Sequence, residues 1–207
     1  MMLSKQTRHC AARFALVSSL LAVSSVSWAA DSVHVRGVVA AVDGANVTIK
    51  TNDGKTIGII LGDNWKIGGI IPATLGDVKQ GTFIGTANIE GPNGSKALEV
   101  VVFPEAMRGT GEGDYSWDLK PKSSMTNATI DRSVESVDGR TVTLSYKGGQ
   151  KKVTIPPATP IVTTAAATKD DVKPGAKVFL SGVPSDDGAR LTEGFIAVGK
   201  NGATPPM

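Results

Sequence analysis

The stretch with the richest chemistry is RGTGEGDYSWD, residues 108–118, which combines three glycines, three acids and two aromatic residues. A glycine-rich loop can cradle a phosphate with its backbone N–H groups. This stretch matches neither GxGxxG nor GxxxxGK[ST], and it presents acids where a phosphate needs donors and cations. Phosphate binding is therefore not predicted.

Acidic side chains in and beside this stretch could instead hold a hard cation, because calcium prefers oxygen ligands. The candidates are Glu105, Glu112, Asp114 and Asp118. Their spacing matches no calcium-binding loop, and such acids usually face water. Met107 and Met125 could offer sulfur to copper, but two thioethers without cysteine or a nearby histidine indicate packing. No metal site and no cofactor is predicted.

Nucleophilic catalysis is not predicted either, because a catalytic serine needs a base. Removal of the signal peptide predicted below leaves His34 as the only histidine, near the new N-terminus, where a solvated side chain is expected. A serine–lysine pair stays open, although Ser123 and Ser124 lie in a polar stretch typical of a solvated linker. The acid pairs at 170–171 and 186–187 fall at predicted turns. The chain is therefore not expected to be an enzyme.

Tyr115 and Trp117 have two alternative roles in this stretch. They either hold two predicted domains together or line a groove that anchors a partner or ligand. The candidate binding surface consists of Arg108, Glu112, Asp114, Tyr115 and Trp117.

The first 29 residues have the pattern of a secretory signal peptide. Lys5, Arg8 and Arg13 precede or begin an apolar run that extends to residue 26, and SWA at 27–29 offers a cleavage site. The mature chain is predicted to begin at Ala30, in the periplasm or outside the cell. The alternative is an uncleaved anchor, but the apolar run is shorter than the roughly 20 residues of a spanning helix, so the mature chain is not expected to span a membrane.

Removal of this segment also changes the charge, because it takes three of the 22 Lys and Arg residues and leaves 19 against 19 Asp and Glu. The mature chain is formally neutral, so nucleic acid is not a predicted partner. Cys10 leaves as well, which removes the only thiol and with it disulfides and thiolate sites.

Two motifs recur in phase and predict an internal duplication. VDGANVTI at 42–49 returns as VDGRTVTL at 137–144, and ATLGDVKQG at 73–81 returns as ATKDDVKPG at 167–175. The two units are therefore expected to share one topology, with Val42 over Val137 and Val78 over Val172.

Each unit reads as short strands, because apolar residues alternate with polar ones at 47–51 and 83–89. Asp-Gly, Asn-Gly and Gly-Gly pairs between them indicate hairpin turns. Five or six short strands bury little as a flat sheet, so closure into a small barrel like the oligonucleotide-binding fold is expected. The fold prediction is all-β, with two tandem antiparallel barrels; one two-sheet sandwich is the alternative.

The predicted domains are a signal peptide at 1–29, barrel repeats at 30–103 and 129–199, a Gly-rich connector at 104–128 and a C-terminal tail at 200–207. The stretch 108–118 within the connector is expected to hold no regular element and to pack through its large side chains.

The turn and core positions of each unit resemble a family of exported bacterial β-barrel proteins catalogued only as a domain of unknown function. The resemblance rests on VDG at 42–44 followed by Val47 and Thr48, on DVK at 77–79 with Gly81, and on LEVVV at 98–102. It covers most of the mature chain, in two copies. Proteins with a stretch similar to residues 103–113 are sometimes labelled metal-transporter permeases, but this chain has no spanning helices to fit that label.

Residues and resemblance together predict a non-enzymatic, exported binding or scaffold protein of the cell envelope, whose partner is an envelope protein or a small ligand. The alternative is a periplasmic metal-handling accessory protein.

Overall fold

The structure is a computed structural model that describes residues 32–136 and 139–206. The predicted signal peptide and Val137 lie outside these ranges. The described chain is all-β, with three one-turn 3₁₀ helices at Leu75–Asp77, Glu105–Met107 and Lys169–Asp171. The strands are β1 (Val33–Asp43), β2 (Asn46–Thr51), β3 (Thr56–Ile60), β4 (Trp65–Pro72), β5 (Phe83–Ile89), β6 (Ser95–Val102), β7 (Gly113–Trp117), β8 (Ser123–Ser136), β9 (Gly139–Tyr146), β10 (Gly149–Ile155), β11 (Ile161–Ala165), β12 (Lys177–Pro184) and β13 (Arg190–Gly199).

The strand pairings close into two five-stranded rings, which we name ring A and ring B. Ring A runs β1–β2–β3–β13–β12 and returns to β1. Ring B runs β8–β9–β10–β6–β5 and returns to β8. Each ring closes through a short parallel contact, β3 with β13 and β6 with β10. A closed ring leaves few exposed sheet edges, and the prediction of an all-β barrel architecture is confirmed to that extent.

The assignment of one barrel to 30–103 and another to 129–199 is wrong, because both rings take strands from both segments. Ring A combines β1, β2 and β3 with β12 and β13, while ring B combines β8, β9 and β10 with β5 and β6. The crossing follows from β4 and β11, which pair antiparallel with each other between the rings. Each also pairs parallel with the last strand of the other segment. The chain therefore passes from one ring to the other after β4 and again after β11.

The two segments show the same order of elements around these crossings. Val78 and Val172 each follow a one-turn helix, closed by a threonine and an aspartate in a capping box, and both valines are buried. The predicted alignment does not extend to the first strand of each hairpin. Val42 pairs with Val47, whereas Val142, which the prediction places over Val47, pairs with Ser133. The duplication itself stays a prediction.

Three apolar clusters form the core. One lies inside ring A and includes Ile49, Ile59 and Leu180, and a second lies inside ring B and includes Ile84 and Leu144. The third joins strands of both rings and consists of Ile70, Val101, Val162, Phe179, Ala197 and Ala203, with Phe103, Trp117 and Phe195 packed against it. Ala203, in the predicted tail at 200–207, belongs to this third cluster.

The predicted connector at 104–128 is more ordered than expected, and the prediction that 108–118 holds no regular element is wrong. Residues Gly113–Trp117 form β7, which pairs antiparallel with the start of β8. Gly109, Gly111 and Gly113 have φ of 85°, 57° and 147°, values that side chains with a Cβ rarely adopt. The glycines of this stretch therefore shape the turn that leads into the strand.

Candidate functional site

The five residues of the sequence-predicted surface do not converge on one site. Arg108 is a structural anchor: it donates to both carboxylate oxygens of Glu105 at 2.5 and 2.7 Å, to Thr129 Oγ1 at 2.9 Å and to the Gly81 carbonyl at 2.8 Å. The Glu105 hydrogen bond raises the pKa of Arg108. Glu112 accepts a hydrogen bond from the Lys147 backbone N–H at 3.0 Å. Both side chains are therefore used to fix the segment before β7.

Asp114 lies at the end of ring B, where it accepts hydrogen bonds from Thr126 Oγ1 at 2.6 Å and from Lys151 Nζ at 2.9 and 3.2 Å. The Lys151 side chain is only 12% exposed and the Asp114 side chain 28%. Lys151 Nζ also donates to Ser124 Oγ at 2.7 Å. This is the serine–lysine pair that the sequence left open, with a different lysine from those beside it in sequence.

The arrangement does not favour serine catalysis by this pair. A general base needs a free lone pair on the amine, whereas Lys151 Nζ donates hydrogen bonds to both Asp114 and Ser124. The contacts are those of an ion pair that closes the end of a barrel.

Tyr115 and Trp117 occupy different environments on β7. Tyr115 is 41% exposed, its hydroxyl accepts a hydrogen bond from Asn127 Nδ2 at 3.2 Å, and partial burial raises its pKa. Trp117 is half-buried against the third cluster, and its ring lies 6.2 Å from that of Tyr115. Among the residues that the structure describes, the buried Nε1 of Trp117 finds no hydrogen-bond partner.

The acids considered as cation ligands are also engaged separately. Glu105 pairs with Arg108, Glu112 accepts from Lys147, and Asp114 and Asp118 form ion pairs of their own. Among the residues that the structure describes, no group of three or more His, Cys, Asp or Glu side chains is placed to hold a metal ion.

The feature that the sequence missed is a groove of about 800 Å³ at one end of ring A. Its walls are the first residues of β1, the β2–β3 hairpin, the turn between β12 and β13, and the two residues after β7. Val33, Val35, Ile57 and Leu119 give it an apolar lining. A concave surface of this size, with a few polar groups at its rim, is the usual form of a binding site.

One charged pair at the rim comes from the β2–β3 hairpin. Lys55 Nζ lies 3.0 Å from Asp53 Oδ2. The hydrogen bond from Thr51, followed by the contribution of Lys55, lowers the pKa of Asp53 to about 2. The carboxylate is therefore ionised at neutral pH and its charge is balanced by the lysine.

The second charged group consists of His34, Arg36 and Asp118 and packs against aromatic rings. Arg36 donates to both oxygens of Asp118, at 2.7 and 3.2 Å, and His34 Nδ1 lies 3.2 Å from Asp118 Oδ1. The His34 ring lies 4.5 Å from Trp117 and 5.3 Å from Phe179. The expectation of a solvated His34 is wrong, because these rings leave only 22% of its side chain exposed.

Asp118 links the segment after β7 to β1. Partial burial raises its pKa, but the hydrogen bonds and charge of Arg36, together with His34, outweigh that effect and hold the pKa below its ordinary value. The carboxylate therefore stays ionised in neutral solution and fixes this wall of the groove.

Part of this group, His34 and Arg36, could have been predicted from the sequence. In a strand, residues two apart share a face, so His34 and Arg36 could have been placed together, opposite Val33 and Val35. Their partner Asp118 lies 82 residues from Arg36. A contact of that separation depends on the exchange of strands between the rings, which no local pattern encodes.

Comparison with known proteins adds no relative: no family model, no curated protein and no solved structure matches this chain. The resemblance to the exported β-barrel family therefore stays a prediction. Within residues 32–136 and 139–206, no helix is long and apolar enough to cross a membrane.

Proposed function

We propose that this protein is a non-enzymatic, exported binding or scaffold protein of the cell envelope, and that it binds its partner in the groove of ring A. The observation that carries the proposal is the groove itself. It combines an apolar lining with a rim of balanced charges, and the group of His34, Arg36 and Asp118 packs on aromatic rings. Such a surface favours recognition over chemistry, because its charged groups are already paired with one another.

Export is the other half of the proposal and is supported by the first 29 residues. Their cationic start, apolar run and small residues at 27 and 29 match a cleaved secretory signal. Intact mass of the protein recovered from the envelope should correspond to a chain that begins at Ala30. Retention of Lys5 and Arg8 in that material would contradict export with cleavage.

Binding through the groove is tested by filling it. Ala189 lines the groove and is exposed, so Ala189→Trp should obstruct it. Ala106 is also exposed but lies in a 3₁₀ helix away from the groove, so Ala106→Trp is a matched control. Both variants and the unaltered mature chain are used to capture cross-linked partners from envelope extracts.

The expected result is a partner that the unaltered chain and Ala106→Trp retain and that Ala189→Trp loses. Equal capture by all three proteins would show that the groove is not the binding surface. Capture of nothing by any of them would contradict the binding function.

A further inference from the structure

In ring B, the position that corresponds to the groove of ring A is occupied by strand β7. The start of β8 is covered on both sides: residues Ser123–Thr129 pair with β5, and Ser123–Asn127 also pair with β7. In ring A, the start of β1 pairs with β12 on one side, and its pairing with β2 begins only at Gly37. Within the described part of the chain, no strand covers the β2 side of Val33–Val35, and the Arg36 carbonyl is the first to be paired on that side.

The register of the two rings identifies the equivalent positions. Val39 pairs with Ile49 and stands just before a β-bulge in β1, and Ile130 pairs with Leu144 and stands just before a β-bulge in β8. Counting back from these two residues, His34 corresponds to Met125. A strand in the position of β7 would therefore run along Ser32–Val35, of which Val33, His34 and Val35 line the groove.

The backbone of β1 is oriented to accept such a strand. The Arg36 carbonyl accepts a hydrogen bond from the Asn52 N–H at 2.8 Å, so the backbone groups of Arg36 face the β2 side. In an antiparallel ladder, backbone groups two residues apart point to the same side. The N–H and C=O of His34 therefore face the groove.

The side chains at this end differ between the rings in a way that defines the ligand. In ring B, β7 directs Asp114 against Thr126 and Lys151. In ring A, the residue equivalent to Thr126 is Val35. The residue equivalent to Lys151 is Ile57, since Ile57 pairs with Ile49 in the way that Lys151 pairs with Leu144. Val35 and Ile57 both line the groove and pack against the core of ring A. A ligand strand in ring A should therefore present an apolar side chain to Val35 and Ile57, where β7 presents Asp114 in ring B.

We propose that the groove of ring A binds an extended peptide segment of an envelope protein, which adds to the start of β1 as an antiparallel strand. The peptide occupies the place that β7 occupies in ring B and directs an apolar side chain against Val35 and Ile57. Backbone hydrogen bonds to an open strand edge supply affinity in this mode of recognition, and the side-chain position supplies specificity. The proposal rests on the proposed binding function and names its partner.

The probe is a synthetic peptide with the sequence of residues 111–119, in which the residue at the Asp114 position is replaced by leucine. Its binding to the mature chain is measured by fluorescence anisotropy, beside three controls. These are the same peptide with the native aspartate, the leucine peptide with an N-methyl group on the Tyr115 amide, and a scrambled peptide. The N-methyl group removes the donor that faces His34 and leaves the side chains unchanged.

The leucine peptide should bind saturably, and both the aspartate peptide and the N-methyl peptide should bind about tenfold more weakly. A second protein variant, Ile57→Lys, recreates the position of Lys151. It should reverse the preference, so that the aspartate peptide binds more tightly than the leucine peptide. Thermal unfolding of Ile57→Lys confirms that the variant is folded, and Ala189→Trp should weaken both peptides.

Equal affinities for the leucine and N-methyl peptides would overturn strand addition. An unchanged preference in folded Ile57→Lys would overturn the placement of the side chain. These failures are distinct from failure of the proposed function: a captured envelope partner that the leucine peptide does not displace would leave the binding function standing and the strand-addition proposal refuted.

Discussion

Trp117 connects the surface predicted from the sequence to the groove that the structure reveals. Its ring lies 4.5 Å from that of His34 and 6.2 Å from that of Tyr115, and it packs against the cluster that joins the two rings. The two roles considered for it, packing between domains and anchoring a ligand, are therefore not exclusive. Its body belongs to the core, and the histidine that it supports forms a wall of the groove.

Replacement of Trp117 with alanine should destabilise the protein. We expect a loss of about 2 to 4 kcal/mol in the free energy of unfolding, somewhat below the cost at a fully buried aromatic position. Trp117→Phe should cost much less, because it keeps ring packing and removes a buried N–H that has no partner within the described part of the chain. Urea unfolding of both variants measures the difference.

Tyr115→Ala is the matched control for that measurement, since Tyr115 is the neighbouring aromatic residue but is 41% exposed. It should cost less than Trp117→Ala. Near-native stability of Trp117→Ala would contradict the structural role and mark the side chain as a ligand anchor alone.

Strand β7 shows how an element can form in a segment whose composition argues against it. Three glycines with positive φ shape the approach to the strand, and β7 then takes its hydrogen bonds from β8. Its one charged side chain, Asp114, is neutralised by Lys151 at the end of ring B. The element is therefore stabilised by its neighbours and not by its own propensity.

The Asp114–Lys151 pair can be tested by exchange for apolar residues, which imitates the end of ring A. Asp114→Leu or Lys151→Met alone should cost about 1 to 2 kcal/mol, because each leaves a partly buried charge without its partner. The double variant should recover most of that loss. Chemical denaturation of the four proteins in a double-mutant cycle gives the coupling energy, and additive costs would contradict a coupled pair.

Local patterns predicted individual strands well and failed where a strand is covered on both faces. In β2 the alternation is confirmed, with Val47 and Ile49 buried between more exposed neighbours. In β5 the predicted alternation at 83–89 is absent, because Phe83 to Asn88 are all buried. One face of β5 lies inside ring B, and Phe83 contacts Phe103 at the third cluster.

At the scale of the whole molecule, the sequence predicted rings of strands but not their membership. Turn residues determine which neighbouring strands form hairpins, as in β1–β2 and β9–β10. They do not determine whether β1 pairs with β12 or with an equivalent strand nearer in sequence. That choice depends on the crossing of β4 and β11 between the rings, which is a tertiary contact.

The exchange of strands predicts how the chain behaves when it is divided. Fragments 30–103 and 104–207, produced separately, should each lack a complete ring and should assemble into a one-to-one complex when mixed. Two tandem barrels would instead give one folded domain in each fragment. Size-exclusion chromatography with light scattering and circular dichroism distinguish the outcomes, and two folded fragments that do not associate would contradict the observed pairing.

The pairing of Val33 with Gly182 also imposes an order on how the molecule forms. Ring B is built from one continuous part of the chain, Phe83 to Ile155, whereas ring A needs strands from both ends. Contacts between distant parts of a chain form slowly, since the intervening loop must first be closed. The first three strands to leave the ribosome therefore have no ring to join until the last two have been made. In the export proposed above, this delay would keep the first three strands in the unfolded state in which a secreted protein is translocated.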